Sequence, residues 1–175
     1  MRHNLNISQE LETSLILKLG DELLSKGFNA GNTVVISVSA DYSCIVGQLL
    51  RHQLSNKGEI CDGFSIDVPY PDEVWDFVYT CELETLVNLY KYKFRNKKIL
   101  LVEAGVIRGS NYRFVIDYLK NNLNITEEIY TLALFENSGS KFKSDFVGEF
   151  YDDDTQDLTF WWERYNNHWQ NEPTV

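Results

Sequence analysis

KKILLVEAGVIRGSNYRFVIDYL, residues 97–119, is the part of the chain from which the architecture can be inferred most directly. The apolar run from Ile99 to Val102 is typical of a strand that is covered on both faces in a parallel sheet. An acid, Glu103, follows this run, and the segment from Ala104 to Asn111 is rich in small and hydroxyl-bearing residues. Apolar residues then recur with helical spacing from Tyr112 to Leu119. The stretch therefore predicts a strand, a tight loop and a helix in succession.

A loop between a strand and a helix is a common place for a phosphate to bind. The first turn of a helix leaves main-chain N–H groups without partners and carries partial positive charge. Gly109, Ser110 and Asn111 would allow those groups to approach an anion, and Arg108 would add a charged contact. Any tight turn from a strand into a helix also favours glycine and serine, so a purely structural interpretation of this loop stays open.

Composition limits the classes of function. A chain of 175 residues with 43% apolar content is expected to fold as a single domain, residues 1–175. Its formal charge of −10 disfavours duplex nucleic acid and acidic membranes as partners, although a local pocket for one small phosphate ligand remains compatible with it. Neither a membrane-spanning run nor a signal-peptide core is recognisable, so we expect a cytoplasmic protein.

Outside the central stretch, helical and strand patterns alternate. A helix is predicted from an N-cap at Ser8 to Lys26 and Gly27, and a second helix from Ile45 to Leu54. The predicted strands are Thr33 to Val38, Gly63 to Val68 and Glu127 to Phe135. This alternation predicts an α/β fold with a doubly wound, mainly parallel sheet flanked by helices.

Two segments are unusually aromatic. Residues 74–79 contain three aromatic residues and residues 158–165 contain four. The aromatic content of the chain, 14%, is more than a core of this size needs, and we expect a homodimer that covers part of it. Trp161 and Trp162 are adjacent in a predicted strand, so at most one of them would face a ligand. Structural packing is the favoured interpretation for both.

Several of these strings together resemble the type I phosphoribosyltransferases, most closely the hypoxanthine, guanine and xanthine enzymes. Residues 35–51 resemble the strand, diphosphate loop and helix of that family, and residues 102–111 lie where it has its diphosphoribose-binding signature. Residues 144–148, Ser-Asp-Phe-Val-Gly, resemble its Pro-Asp-Tyr-Val-Gly. Residues 160–163, Phe-Trp-Trp-Glu, are similar to its Phe-Pro-Trp-Glu. The resemblance covers the chain from about Thr33 onward.

The resemblance implies a small C-terminal hood, a nucleotide or sugar-phosphate ligand, and Mg²⁺ when phosphoribosyl diphosphate is bound. It also implies roles for individual residues. They are Glu103 as the catalytic acid that holds ribose hydroxyls; Arg108, Gly109, Ser110 and Asn111 for the sugar phosphate; Ser39, Ala40, Asp41, Tyr42 and Ser43 as the diphosphate loop; Phe135, Trp161, Trp162 and Glu163 as a hood over the base; and Glu103 with Asp41 as metal ligands.

The chain also departs from the family pattern. Ala104 stands where the family has a second acid, Ile107 where it often has a base-side Asp, and Ala40 with Asp41 where it often has Lys and Gly. These changes favour a non-catalytic descendant that binds a nucleotide or sugar phosphate and has a regulatory or interaction role. The alternative is an active purine-type phosphoribosyltransferase, which would transfer a 5-phosphoribosyl group from phosphoribosyl diphosphate to a nitrogenous base.

Overall fold

The centre of the protein is a sheet of five parallel strands. The computed structural model describes residues 3–38, 43–66, 68, 88, 92, 94–122 and 124–162. The sheet strands are β2 (Thr33–Val38), β3 (Asp62–Ile66), β4 (Lys98–Val106), β5 (Ile129–Asn137) and β6 (Phe146–Tyr151). Their order across the sheet is β3-β2-β4-β5-β6, and every neighbouring pair is parallel. The predicted doubly wound, mainly parallel α/β sheet is therefore confirmed.

Helices connect these strands and cover the sheet. Helix α1 (Gln9–Ser25) precedes β2, helix α2 (Ser43–Leu54) follows it, and helix α3 (Ser110–Asp117) follows β4. A π-helical turn, Tyr118–Asn122, continues from α3. Among the described residues, no helix is both long and apolar enough to cross a membrane.

Two further strands form a separate small sheet. Strand β1 (His3–Ile7) pairs in parallel with β7 (Gln156–Phe160), and Leu5 lies opposite Leu158. Residues from both ends of the described chain are therefore joined by main-chain hydrogen bonds.

Strand β4 is apolar on both faces because each face contacts a different part of the core. Leu100 and Val102 belong to the core cluster that includes residues of α1 and α2. Ile99 and Leu101 belong to the cluster that includes residues of α3. All four side chains are 0% exposed. The continuous apolar run is thus the expected signature of a strand between two helical layers.

Some predicted boundaries were wrong. Strand β4 extends to Val106 and α3 begins at Ser110, so the predicted loop of residues 104–111 is reduced to residues 107–109. Main-chain pairing with β5 continues at Gly105 and Val106 because tertiary hydrogen bonds outweigh the weak strand preference of small residues.

The end of β7 was also misplaced. This strand ends at Phe160, so Trp161 and Trp162 lie in a turn, and the argument that they face opposite sides of a strand does not apply. The aromatic segment of residues 74–79 lies outside the described residues, as do Ser39, Ala40, Asp41, Tyr42 and Glu163.

Candidate functional site

Glu103 lies within β4 and is almost completely enclosed. Glu103 is 4% exposed and lies opposite Ala133 of the neighbouring strand β5. The side-chain amide of Asn111, in the first turn of α3, donates a hydrogen bond of 2.6 Å to Glu103 Oε1. Burial raises the pKa of the Glu103 carboxyl to about 7, and the bond from Asn111 opposes that rise. The acid therefore changes its charge near neutral pH.

Tyr112 fixes the start of α3 against the sheet. Its side chain is 0% exposed, and its hydroxyl donates to the main-chain carbonyl of Leu132 in β5. Burial raises the pKa of Tyr112 well above its ordinary value, and the nearby charge of Glu103 raises it further. The phenol remains protonated and acts as a hydrogen-bond donor. The first turn of α3 is consequently held at a defined position beside the end of β4.

Gly109, immediately before α3, has a conformation and a position that a larger residue would not tolerate. Its φ is +66°, in the left-handed region. A Cβ at this position would lie 2.3 Å from Cγ of Phe142, so the aromatic ring lies directly on the loop. This conformation turns the chain sharply from β4 into α3.

No side chain caps the amides at the start of α3. Gly109 occupies the N-cap position and has no side chain to cap the helix, and the first turn contains no acidic residue. Ser110 is exposed and Asn111 is half-buried, while the side chain of Asn111 is directed to Glu103. Asn111 therefore offers an anion its main-chain N–H and not its side chain. Such a helix start, at the carboxyl edge of a parallel sheet, is suited to an anion.

Two side chains hold the three-residue loop before α3 by donating to its main-chain carbonyls. The Arg113 guanidinium donates to the carbonyl of Arg108 at 2.6 Å, and the Asn137 amide donates to the carbonyl of Ile107 at 3.4 Å. The side chains of Arg108 and Ile107 are exposed. Arg108 is thus positioned beside the open helix start with its charge in solvent.

Ser43 is the described residue of the predicted diphosphate loop. It lies in the first turn of α2, and its hydroxyl accepts a hydrogen bond of 3.1 Å from the main-chain N–H of Ala104. Ser43 is 2% exposed, so its side chain connects two parts of the backbone. The structure therefore places Ser43, the last residue of the predicted diphosphate loop, beside β4 next to Glu103.

The predicted hood residues contact one another and α1. Phe135 is 0% exposed and meets the ring of Phe160 edge-on, with centroids 5.8 Å apart. Trp162 stacks on Phe160 at 4.7 Å with an angle of 9° between the rings. Trp161 Nε1 donates to Glu12 Oε2 of α1 at 2.6 Å. These contacts agree with the packing interpretation of both tryptophans.

Two buried acids, Glu12 and Glu136, were not among the predicted site residues. Glu12 is 3% exposed and receives the bond from Trp161, and burial raises the pKa of its carboxyl. Glu136 is 0% exposed and accepts a bond of 2.8 Å from the main-chain N–H of Ser144. Glu136 stands at the end of the apolar run of β5, which is a detectable signal, because an ionisable residue inside such a run must be paired or functional.

The described residues do not form a ready-made metal site. None of them makes a cluster of three or more metal-ligating side chains. Glu103, one of the two predicted Mg²⁺ ligands, is bonded to Asn111, and Asp41, the other, lies outside the described residues. Of the two predicted Mg²⁺ ligands, the described residues therefore include only Glu103.

Two solved structures are similar to the whole chain. The purine phosphoribosyltransferase of Pyrococcus horikoshii is 18% identical, covers 98% of this chain and 97% of its own length, and superposes with a TM-score of 0.64. The xanthine-guanine-hypoxanthine phosphoribosyltransferase of Helicobacter pylori is 16% identical, covers 97% of this chain and 100% of its own length, and gives a TM-score of 0.65. No family model and no curated protein sequence matches the chain. By its structure, this protein has the fold of the type I phosphoribosyltransferases.

Proposed function

We propose that this protein binds a sugar phosphate or nucleotide at the start of α3 and has weak or no transferase activity, with a regulatory or interaction role. The observation that carries this proposal is the uncapped first turn of α3, which lies at the carboxyl edge of the parallel sheet with Arg108 beside it. Main-chain amides, a helix dipole and an exposed guanidinium are the groups that bind a phosphate.

The surroundings of Glu103 support the loss of transfer chemistry. Ala104 provides no second carboxylate, and Glu103 is buried and already bonded to Asn111. A reaction that passes through a positively charged sugar needs fixed negative groups directed at the reacting carbon. The described part of the site is better suited to holding a phosphate than to stabilising such a charge.

An active purine-type phosphoribosyltransferase is the second candidate. It is favoured by the fold and by the pKa of Glu103, because an acid with a pKa of about 7 exchanges protons readily at neutral pH. This hypothesis predicts turnover of phosphoribosyl diphosphate with at least one purine base and loss of that turnover in Glu103→Ala. Absence of turnover by the parent protein with every base of a purine panel would contradict it.

Binding is tested by calorimetric titration of the full chain with ribose 5-phosphate and with phosphoribosyl diphosphate. We expect Arg108→Gln to weaken binding of ribose 5-phosphate by about five- to tenfold, because a charge-assisted bond is lost. The matched control is Arg95→Gln, which removes the same charge from an exposed residue just before the start of β4. Equal effects of the two substitutions, or no binding to the parent protein, would contradict the proposed site.

Mg²⁺, a cytoplasmic location and a homodimer remain predictions. We expect Mg²⁺ to strengthen binding of phosphoribosyl diphosphate only, through the diphosphate oxygens of the ligand, and to leave binding of ribose 5-phosphate unchanged. Titrations with and without the ion test this, and light scattering of the purified protein tests the dimer.

A further inference from the structure

The contact between Glu103 and Asn111 bears on which ligands the site would select. A protein that recognises the neighbouring hydroxyls of ribose needs acceptor oxygens that the ligand can reach. Glu103 is 4% exposed, and its Oε1 atom already accepts the Asn111 amide at 2.6 Å. A sugar hydroxyl would compete with that amide for this oxygen, and the burial of Glu103 leaves little of the carboxylate for a ligand to reach.

The next residues of β4 do not replace the missing acceptor. Ala104 has an apolar side chain, is 3% exposed, and its main-chain N–H is bonded to Ser43. Gly105 is exposed, and a Cβ there would lie 3.4 Å from a methyl group of Leu158. Ile107 follows with 43% of its surface exposed. None of these three residues therefore offers a side-chain acceptor for a sugar hydroxyl.

Asn111 is not free to withdraw with its helix. Tyr112, the next residue, anchors the first turn of α3 to the Leu132 carbonyl, and Phe142 covers Gly109 on the preceding side. Release of Glu103 would require the Asn111 side chain alone to change its rotamer. The contact is thus built into the site and is not a chance surface bond.

We propose that this site binds phosphate monoesters without selecting for a ribose diol, because Glu103, the acid that would otherwise accept the sugar hydroxyls, is buried and bonded to Asn111. The inference rests on the proposed function and names its ligand class. Ribose and deoxyribose phosphates would bind alike. Selectivity among ligands would then depend on the phosphate and on the part of the ligand that the aromatic residues contact.

The test compares ribose 5-phosphate with 2-deoxyribose 5-phosphate by calorimetry on the full chain. We expect the two dissociation constants to agree within about twofold, whereas a site that bonds a hydroxyl rejects the analogue lacking it by at least about tenfold. A tenfold preference of the parent protein for ribose 5-phosphate would overturn this inference and leave the proposed function standing. Failure of both compounds to bind would overturn the proposed function and the inference with it.

Two variants locate the cause. Asn111→Ala frees Glu103 and should create a preference of about tenfold for ribose 5-phosphate, and adding Glu103→Gln to it should largely remove that preference. Asn111→Ser serves the same purpose should the alanine variant not fold. An unchanged ratio of dissociation constants in a folded Asn111 variant would overturn the role given to this residue.

Discussion

The starts of helices α1 and α3 differ in what meets their first-turn amides. At α1, the Ser8 hydroxyl accepts a hydrogen bond of 3.1 Å from the Leu11 N–H, and Glu10 and Glu12 lie in the first turn. A main-chain hydrogen bond, followed by one from Ser8, lowers the pKa of Glu10. At α3, Gly109 supplies no cap and the first turn has no acid. The first turn of α1 is capped by its own residues, whereas the first turn of α3 has no side-chain cap, and it is there that we propose an external anion binds.

The two helices share one local pattern and differ in the residues that meet their first-turn amides. Both helices present free amides and partial positive charge at their N-termini. In α1 these are satisfied by a serine cap and acids, which favours stability. In α3 the same positions carry glycine, serine and asparagine, and the asparagine side chain is bonded to Glu103. Stability that a cap would provide is absent where the ligand is proposed to bind.

The largest effect is expected from the glycines with positive φ that adjoin the two helices. Gly109→Ala should lower the free energy of unfolding by about 3 kcal/mol, because left-handed strain adds to the overlap with Phe142. Gly27→Ala, after α1, is the matched control: its φ is +78° and nothing lies within 4 Å of the added Cβ. It should cost about 1 kcal/mol. Urea unfolding measures both, and equal losses would show that the Phe142 contact does not constrain the loop.

The second effect is the pH dependence that Glu103 gives to stability. The pKa of Glu103 is about 7 in the folded protein and 4.5 ordinarily, so the folded state binds the proton more tightly. Its contribution to stability is full below pH 4.5 and is lost as pH rises through 7. From the two pKa values, the parent protein should lose about 3 kcal/mol of stability between pH 4.5 and 8 because of Glu103. The Glu103→Gln variant should not show this loss.

Unfolding by urea across this pH range measures the Glu103 effect. Glu59→Gln, which changes an exposed acid in the turn after α2, is the control and should follow the parent profile within about 0.5 kcal/mol. A Glu103→Gln profile that runs parallel to the parent profile would mean that the carboxyl is solvated like an ordinary surface acid.

The smallest change in stability is expected from substitutions at the first residues of the two helices, Ser8 before α1 and Ser110 in α3. Ser8→Ala should cost about 1 kcal/mol of stability because the cap of α1 is lost. Ser110→Ala, at the start of α3, should change stability by less than about 0.5 kcal/mol and should weaken ribose 5-phosphate binding severalfold. Thermal unfolding and calorimetry of both variants measure these quantities. A Ser110 variant destabilised as strongly as the Ser8 variant would indicate that the start of α3 is closed by its own residues.

Much of the framework could be predicted from local patterns. Strand β2 was predicted with its observed bounds, Thr33–Val38, because β-branched residues in a continuous run leave few alternatives. The cap at Ser8 was predicted because a serine before a helical apolar pattern acts through contacts only three residues apart. The extension of β4 through Gly105 was not predictable in this way, since pairing with β5 maintains it.

Local patterns were sufficient for the alternation of helices and strands, the parallel sheet and the small-residue turn into α3, because periodicity and turn chemistry act between near neighbours. Strands β1 and β6 were not predicted from them. Only the tertiary structure shows that Asn111 bonds to Glu103, that Phe142 covers Gly109 and that Trp161 bonds to Glu12. These partners are separated by 8, 33 and 149 positions along the chain. Contacts over such distances, and the burial that moves the pKa of Glu103, arise from how the sheet and helices pack, which no local pattern records.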